Sequence, residues 1–366
     1  MNVCVIGGGN VGTAIAAYFS QNKHNTTIYS SRHTKFGNQI EAIDRETGAS
    51  FVATISATNN LEVALNDADL VCITFPSFML KEIFEKIGAF LKPTAIVGVI
   101  PGTGGVEFLK NIIDGHIIFG MDRVPCISRL KEYGKSVYHS KKAATRIATI
   151  PSNQAEKICT LLSEGLGLEC MPLANYLSVT FTPSNPILHT ARTYTMFKDY
   201  NESVLYDRNF LFYKEWTDDA SEVLLAMDDE LQQICAALPE IDLSGVINLT
   251  THYEAKTITE LTAKLMSIAS LAQITSPMKR VDGGYIPDFS SRYFIEDVPY
   301  GLAILKGFAQ IADIKTPYMD RVLNWNGEKM GEKYLDKEGN LLEDNNAFTP
   351  QKFGIKTLQD VYNFYL

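Results

Sequence analysis

A chain of 366 residues exceeds what one hydrophobic core usually supports, and with 46% hydrophobic residues it can bury two. A formal net charge of -9 argues against nucleic acid or an anionic membrane surface as a partner, because both would be repelled outside a local basic patch. The six cysteines, Cys4, Cys72, Cys126, Cys159, Cys170 and Cys235, carry no CxxC pairing and several sit in apolar runs, so neither a metal site nor a disulfide framework is expected.

Val3-Cys-Val-Ile6 is a continuous apolar run that suits a strand buried on both faces. It passes through Gly7-x-Gly9-x-x-Gly12 into Thr13-Ala-Ile-Ala-Ala-Tyr-Phe19, which reads as a helix. Strand, tight turn and helix in that order make a dinucleotide-binding fingerprint. The first glycine permits the turn, the second lets backbone amides approach a pyrophosphate, and the third lets helix and strand pack closely while the helix N-terminus faces the phosphates. Gly7, Gly9, Asn10, Val11 and Gly12 are therefore the expected cofactor contacts of this loop. A core strand beginning at residue 2 leaves no room for a signal peptide, and no apolar run is long enough to span a membrane, so a cytoplasmic protein is expected.

Thr26 to Tyr29 reads as the second strand. An NAD-selective site usually follows it with an acidic residue for the ribose 2′-hydroxyl, whereas here Ser30-Ser31-Arg32-His33 follows. A 2′-phosphate would find a hydroxyl in Ser30 or Ser31 and a matching guanidinium in Arg32, which favours NADP, with NAD as the alternative if Arg32 is only a solvated loop residue. Residues 36–60 are mixed and polar and predict only short elements, followed by a short helix from Leu61. Strands at 69–75 and 93–100 end in loops carrying Phe75, Pro76, Pro101 and Gly102; ligands of doubly wound sheets bind beyond the carboxyl ends of strands, so these four are candidate cofactor contacts. Strands at 117–119, 124–127, 136–138 and 146–150, a helix at 153–164 and a strand at 168–171 complete an α/β domain, expected to be a Rossmann-type doubly wound sheet over residues 1–183.

Beyond it the alternating grammar stops. Helices are predicted at 186–200, 217–238, 257–272, 299–312, 317–326 and 357–364, so residues 184–366 are expected to form an all-α substrate and catalytic domain that meets the first across a cleft. Asn185 is a good N-cap and Pro186 a good first helical residue, which places His189 one turn into the helix that opens this domain, with Arg192, Thr193 and Met196 along its face. Near the end, Ser290-Ser-Arg292-Tyr-Phe-Ile-Glu-Asp297-Val-Pro299 follows an irregular stretch containing Pro277, Gly283 and Pro287. Asp297 can be read as a helix cap and Arg292 as a surface ion pair without invoking chemistry.

Taken together, Gly7-Gly-Gly-Asn-Val-Gly12, Asn185-Pro-x-x-His189 and Arg292-Tyr-x-x-Glu-Asp297-x-Pro-Tyr-Gly-Leu302 resemble the octopine/nopaline (opine) dehydrogenase family, in that order and over nearly the whole chain. The resemblance implies a nicotinamide-dependent oxidoreductase acting on a CH–NH group, with His189 and Asp297 as a catalytic dyad in the interdomain cleft and Arg292 as a binder of a substrate carboxylate. It also implies an amino acid and an α-keto acid as partners, joined by reductive condensation. A homodimer is compatible with the sequence. Two other readings stand beside this one. A ketopantoate-reductase-like reductase of 2-keto acids would carry a lysine near the start of the helical domain, where this chain has His189. A nicotinamide-binding sensor would bind without turnover.

Overall fold

In the computed structural model, which describes residues 1–366, the backbone divides into two units, Met1–Thr180 and Phe181–Leu366. The first runs β1 (Asn2–Ile6), α1 (Asn10–Gln21), β2 (Asn25–Tyr29), β3 (Gln39–Asp44), β4 (Ser50–Thr54), β5 (Ser56–Thr58), α2 (Leu61–Leu65), β6 (Leu70–Ile73), α3 (Leu80–Ile87), β7 (Ile96–Val99), β8 (Ile117–Met121), β9 (Cys126–Glu132), β10 (Ser136–Lys141), β11 (Ala144–Ile150), α4 (Ala155–Leu166), β12 (Glu169–Pro172) and α5 (Leu177–Thr180). Its main sheet has eight strands in the order β12-β11-β8-β7-β6-β1-β2-β5. All neighbours are parallel except β8 and β11.

β1 is central because Val3 to Ile6 present apolar side chains to both faces, and all four are buried. From β1 the chain moves outward through β2 and returns on the other side at β6, so the strand order switches between β1 and β6. The carboxyl ends of that pair are where an open α/β sheet offers its ligand crevice.

The stretch expected to hold only short elements instead supplies β3 and β4, which with β9 and β10 form a second, four-stranded sheet in the order β4-β3-β10-β9. Its polarity follows from position. In β3 the apolar Ile40 and Ala42 alternate inward with Gln39, Glu41 and Ile43 on the other face, which is a half-buried strand. The inward face packs on α1, whose residues 12–19 are all buried. One core joins Val3, Val5 and Ile28 of the main sheet, Ala14 to Phe19 of the helix, and Ile40, Ala42, Ala53 and Val137 of the second sheet. A helix with layers on two sides has no face left for polar groups, which accounts for the run Ala-Ile-Ala-Ala-Tyr-Phe. The amphipathic α3, which buries Leu80, Ile83, Phe84 and Ile87, was not foreseen by the sequence reading.

The second unit comprises α6 (Asn185–Phe197), α7 (Asp218–Ala236), α8 (Leu249–His252), α9 (Ile258–Ser267), β13 (Met278–Val281), β14 (Gly284–Pro287), α10 (Arg292–Ile295), α11 (Ala303–Ile311), α12 (Pro317–Met330) and α13 (Leu358–Tyr365). Helices build it, the short α8 and α10 lying outside the predicted ones, and the stretch read as irregular folds β13 and β14 into an antiparallel hairpin around Gly283, whose φ of 84° needs a glycine. Threonines start three of the helices, Thr217 accepting from the Ala220 amide, Thr257 from Glu260 and Thr357 from Asp360, the last two as reciprocal capping boxes. No helix of the chain is long and apolar enough to cross a membrane.

Candidate active site

At the end of β1, Gly7 adopts a φ of 121° and its amide donates to the Tyr29 carbonyl, turning the chain across the top of β2. A Cβ at Gly7 would fall 2.5 Å from Thr74 Oγ1, and one at Gly12 would fall 1.9 Å from the Gly7 carbonyl oxygen, so both glycines are required by close packing between β1, β6 and α1. Gly9 differs, because a Cβ there would meet nothing within 4 Å. It is exposed at the first turn of α1, which has neither a side-chain cap nor an acidic residue. That open, uncapped N-terminus has the chemistry a pyrophosphate requires, amide donors with no competing carboxylate. Val11 is half-buried in the same turn, and the Asn10 carboxamide oxygen accepts from the Leu130 amide at 2.9 Å, tying the turn to β9. The loop residues thus fit a dinucleotide, with the backbone rather than the Asn10 side chain left to face it.

After β2, the buried Ser30 hydroxyl bonds the Tyr133 hydroxyl at 3.0 Å and accepts from the Arg32 amide at 3.2 Å. Ser31 is exposed, and the Arg32 guanidinium lies over the Tyr133 ring, 3.8 Å from its centroid. Tyr133, which the sequence reading did not single out, is therefore the platform on which the segment after β2 is arranged. Phe75 packs its ring 3.3 Å from where a Gly7 Cβ would stand, and Pro76 and Pro101 are half-buried beside it in the chain and after β7 respectively.

Gly102, a candidate for close approach of backbone to a ligand, is buried; its amide donates to the Met121 carbonyl at 2.7 Å and its carbonyl accepts from the Tyr176 hydroxyl at 3.1 Å. A Cβ would lie 2.4 Å from Gly120 Cα. Glycine is needed there for packing inside the unit.

In the second unit α6 begins one residue earlier than expected, with Ser184 as N-cap and Pro186 in its first turn, so His189 sits on the second turn. Its Nδ1 is 2.8 Å from Asp297 Oδ2, and both side chains are only 12% exposed. A chain separation of 108 residues is closed by an unusual local geometry. After α10 the backbone makes a π-helical turn at Val298–Leu302, in which the Leu302 amide reaches back to the Asp297 carbonyl. Pro299 lies in that turn, and a Cβ at Gly301 would fall 2.8 Å from the Pro186 ring, so the wide turn and the start of α6 are packed against each other. Single π turns inside helices are frequent at functional sites.

The imidazole is enclosed by aromatic rings, Tyr293 at 4.5 Å and Phe212 at 5.5 Å between centroids. Its other nitrogen, Nε2, is 3.0 Å from the Tyr213 hydroxyl, a residue the sequence reading missed. Arg192, noted on the face of α6, is buried and donates to the Phe212 and Glu215 carbonyls and the Thr217 hydroxyl; burial pulls its guanidinium down to about 10. It is a structural clamp on the segment that carries Tyr213.

Arg292 is placed differently from the dyad. Its guanidinium is largely exposed and pairs with Glu296 at 2.6 Å, one helical turn on. The adjacent Tyr293 is the residue of α10 that reaches His189.

The cysteines behave as small apolar groups. Cys4, Cys72, Cys126, Cys159 and Cys170 are buried, and burial raises every one of their thiols, that of Cys4 to about 12.

Comparison with known proteins bears on the arrangement. Residues 172–330 match the family described as NAD/NADP octopine/nopaline dehydrogenase, alpha-helical domain. Residues 2–117 match the NAD-dependent glycerol-3-phosphate dehydrogenase N-terminus. The chain is 28% identical to the opine dehydrogenase of Haliotis discus hannai over 330 residues, covering 84% of this chain and 80% of that one. It is 28% identical to the tauropine dehydrogenase of Arabella iricolor over 331 residues, covering 83% and 82%. The solved structure of an octopine dehydrogenase with NADH and L-arginine superposes with a TM-score of 0.84 at 23% identity, covering 99% of this chain and 97% of that one.

Proposed function

We propose that this chain, whose residues 172–330 match the octopine/nopaline dehydrogenase helical domain, is an opine-type, nicotinamide-dependent oxidoreductase acting on CH–NH donors that reductively condenses an amino acid with an α-keto acid, reversibly, using NADPH. The observation that carries the reading is the His189–Asp297 pair at 2.8 Å. An amino acid arrives as an ammonium ion and must lose a proton before it can attack a keto carbon. Neutral His189 accepts that proton, and the amine adds to form a carbinolamine. The imidazolium then returns the proton to the departing hydroxyl, so that water leaves and an iminium remains. The cofactor supplies the hydride that reduces this carbon, releasing a secondary amine with two carboxylates. One imidazole thus serves both as base and as acid, a duty suited to histidine. Asp297, on Nδ1, fixes the tautomer and stabilises the cationic ring.

Residues 1–183 serve as the dinucleotide-binding domain and 184–366 as the substrate and catalytic domain in this reading. Gly7, Gly9, Asn10, Val11 and Gly12 hold the pyrophosphate through the loop and the helix N-terminus, with Phe75, Pro76 and Pro101 beyond the neighbouring strands. Selection of NADPH rests on Arg32 and Ser31, with Tyr133 holding the guanidinium in place. Arg292 grips a substrate carboxylate, which must compete with Glu296 for the guanidinium.

The test is NADPH oxidation with a panel of keto acids, each with and without a panel of amino acids. Oxidation that needs both substrates is expected. Oxidation with the keto acid alone identifies a hydroxy-acid reductase, and binding of NADPH without turnover across the panel identifies a sensor.

A further inference from the structure

His189 has both ring nitrogens engaged, Nδ1 by Asp297 at 2.8 Å and Nε2 by the Tyr213 hydroxyl at 3.0 Å. Nε2 is the atom that has to exchange a proton with substrate, so a hydroxyl standing on it is either an obstacle that substrate pushes aside or a member of the proton path. The packing around Tyr213 decides between them. The residue is 7% exposed, its ring is stacked on Trp216 at an interplanar angle of 16° and meets Phe212 edge-on. The backbone on either side is held by the buried Arg192, through the Phe212 and Glu215 carbonyls, and by the Phe212 amide bonded to the Ile274 carbonyl at 2.7 Å. Trp216, in turn, is fixed through its indole N–H to Ser221. A residue anchored on so many sides is a poor gate, because moving it would uncover a buried cation and break those bonds together.

We propose that Tyr213 is the outer member of an Asp297–His189–Tyr213 relay, its hydroxyl passing protons between His189 and substrate in the reaction argued above. In the neutral ring, Nδ1–H donates to Asp297 and Nε2 accepts the Tyr213 O–H. When the substrate ammonium gives a proton to the Tyr213 oxygen, the phenolic proton moves to Nε2, leaving an imidazolium and an intact phenol. When the carbinolamine hydroxyl departs, the phenol gives it a proton and takes one back from Nε2–H; the C–O bond breaks, water forms, and both residues return to their starting states. No oxidant or further reactant is needed.

The inference rests on the dehydrogenase reading, and two variants separate their failures. Tyr213→Phe removes only the hydroxyl and should lower kcat by about ten- to a thousandfold, within the usual share of a proton-transfer group, while KM for the keto acid, NADPH binding and thermal unfolding stay close to wild type. Proton inventories in mixed H2O and D2O supply a readout that a purely structural role would not move: two protons in flight give a curved dependence in the wild type, and loss of one gives a straight line in Tyr213→Phe. Should that variant fold poorly, 3,5-difluorotyrosine at position 213 keeps the shape, and its more acidic phenol should displace the pH profile of kcat to lower pH. Wild-type kcat in Tyr213→Phe, a kcat loss with an unchanged inventory, or an unmoved profile in the fluorinated protein overturns the relay. If the wild-type protein oxidises NADPH with no pair of keto and amino acids, the dehydrogenase reading itself fails; if the wild type turns over and His189→Ala is fully active, the role of His189 falls and the relay with it; if His189→Ala is inactive and Tyr213→Phe is not, only the relay falls.

Discussion

Replacing Asp297 by asparagine keeps the size of the side chain and a carbonyl oxygen for Nδ1–H, but removes the charge that faces the imidazolium. With the nitrogen and oxygen 2.8 Å apart and both side chains 12% exposed, solvent screens this pair weakly. Taking charge centres roughly 4 Å apart and an effective dielectric near 20, the attraction is about 4 kcal/mol, an upper bound because the amide keeps part of the interaction. Each 1.36 kcal/mol lost from the protonated ring costs about a factor of ten, so turnover should fall by roughly a hundred- to a thousandfold. The amide can also rotate and offer its NH2 to Nδ1, fixing the wrong tautomer, which acts in the same direction. The assay is steady-state oxidation of NADPH with saturating keto and amino acids, beside a separate measurement of NADPH binding, which should not change. An Asp297→Asn enzyme within threefold of wild type would refute the argument that this carboxylate supports the charged ring.

Other expectations follow from the first unit. Arg32→Ala should weaken NADPH by about ten- to a hundredfold, the worth of a charge-assisted bond to phosphate, and leave NADH nearly unaffected; equal effects on both cofactors, measured as KM values, would remove the 2′-phosphate assignment. Gly12→Ala puts a methyl group 1.9 Å from the Gly7 carbonyl oxygen, so the turn must open; a stability loss of at least about 1–3 kcal/mol in urea unfolding and weakened binding of either nucleotide are expected, whereas a variant with wild-type stability and affinity would contradict the packing. His139, bonded to the Tyr18 hydroxyl at 2.9 Å, is held below the ordinary histidine value, first by burial and then by Lys141, with Asp44 opposing. Because its folded value is the lower one, the unfolded chain binds the proton more readily, so this contribution is complete above the unfolded value of about 6.5 and is lost as pH falls through it. The melting temperature should therefore drop between about pH 7.5 and 5.5, and less so in His139→Gln; an identical pH dependence in the two proteins would contradict the assignment.

The parts of the fold that were legible in sequence are those whose signal is local and repeated. β1 and α1 announce themselves because a doubly buried strand and a helix covered on two sides leave apolar runs broken only by the glycines of the turn. The helices of the second unit are marked by threonine caps and by prolines in first turns. By contrast β3 and β4 bury one face only, and their alternation over a few residues is easily lost among polar neighbours. The hairpin of β13 and β14 is short and carries two prolines nearby, which reads as loop. Within the candidate site, motif resemblance pointed to His189 and Asp297, and the geometry brings them together. Arg292 was readable as a surface ion pair, and its partner is Glu296, one helical turn on, which the sequence analysis left unnamed. Tyr213 has no such signal. Its contact with His189 depends on how the 209–216 segment, rich in aromatic residues, is laid against α6, and the clue that existed was Arg192, a cation on a helix face otherwise committed to the core.

The measurement that bears most directly on the account is the single-turnover rate of NADPH oxidation by His189→Ala, with keto acid and amino acid saturating and NADPH binding followed in parallel. A fall of about two to four orders of magnitude with unchanged NADPH affinity is the predicted result, the usual share of a general acid and base. A rate equal to that of the wild-type protein would contradict it and leave a nucleotide-binding fold whose chemistry lies elsewhere.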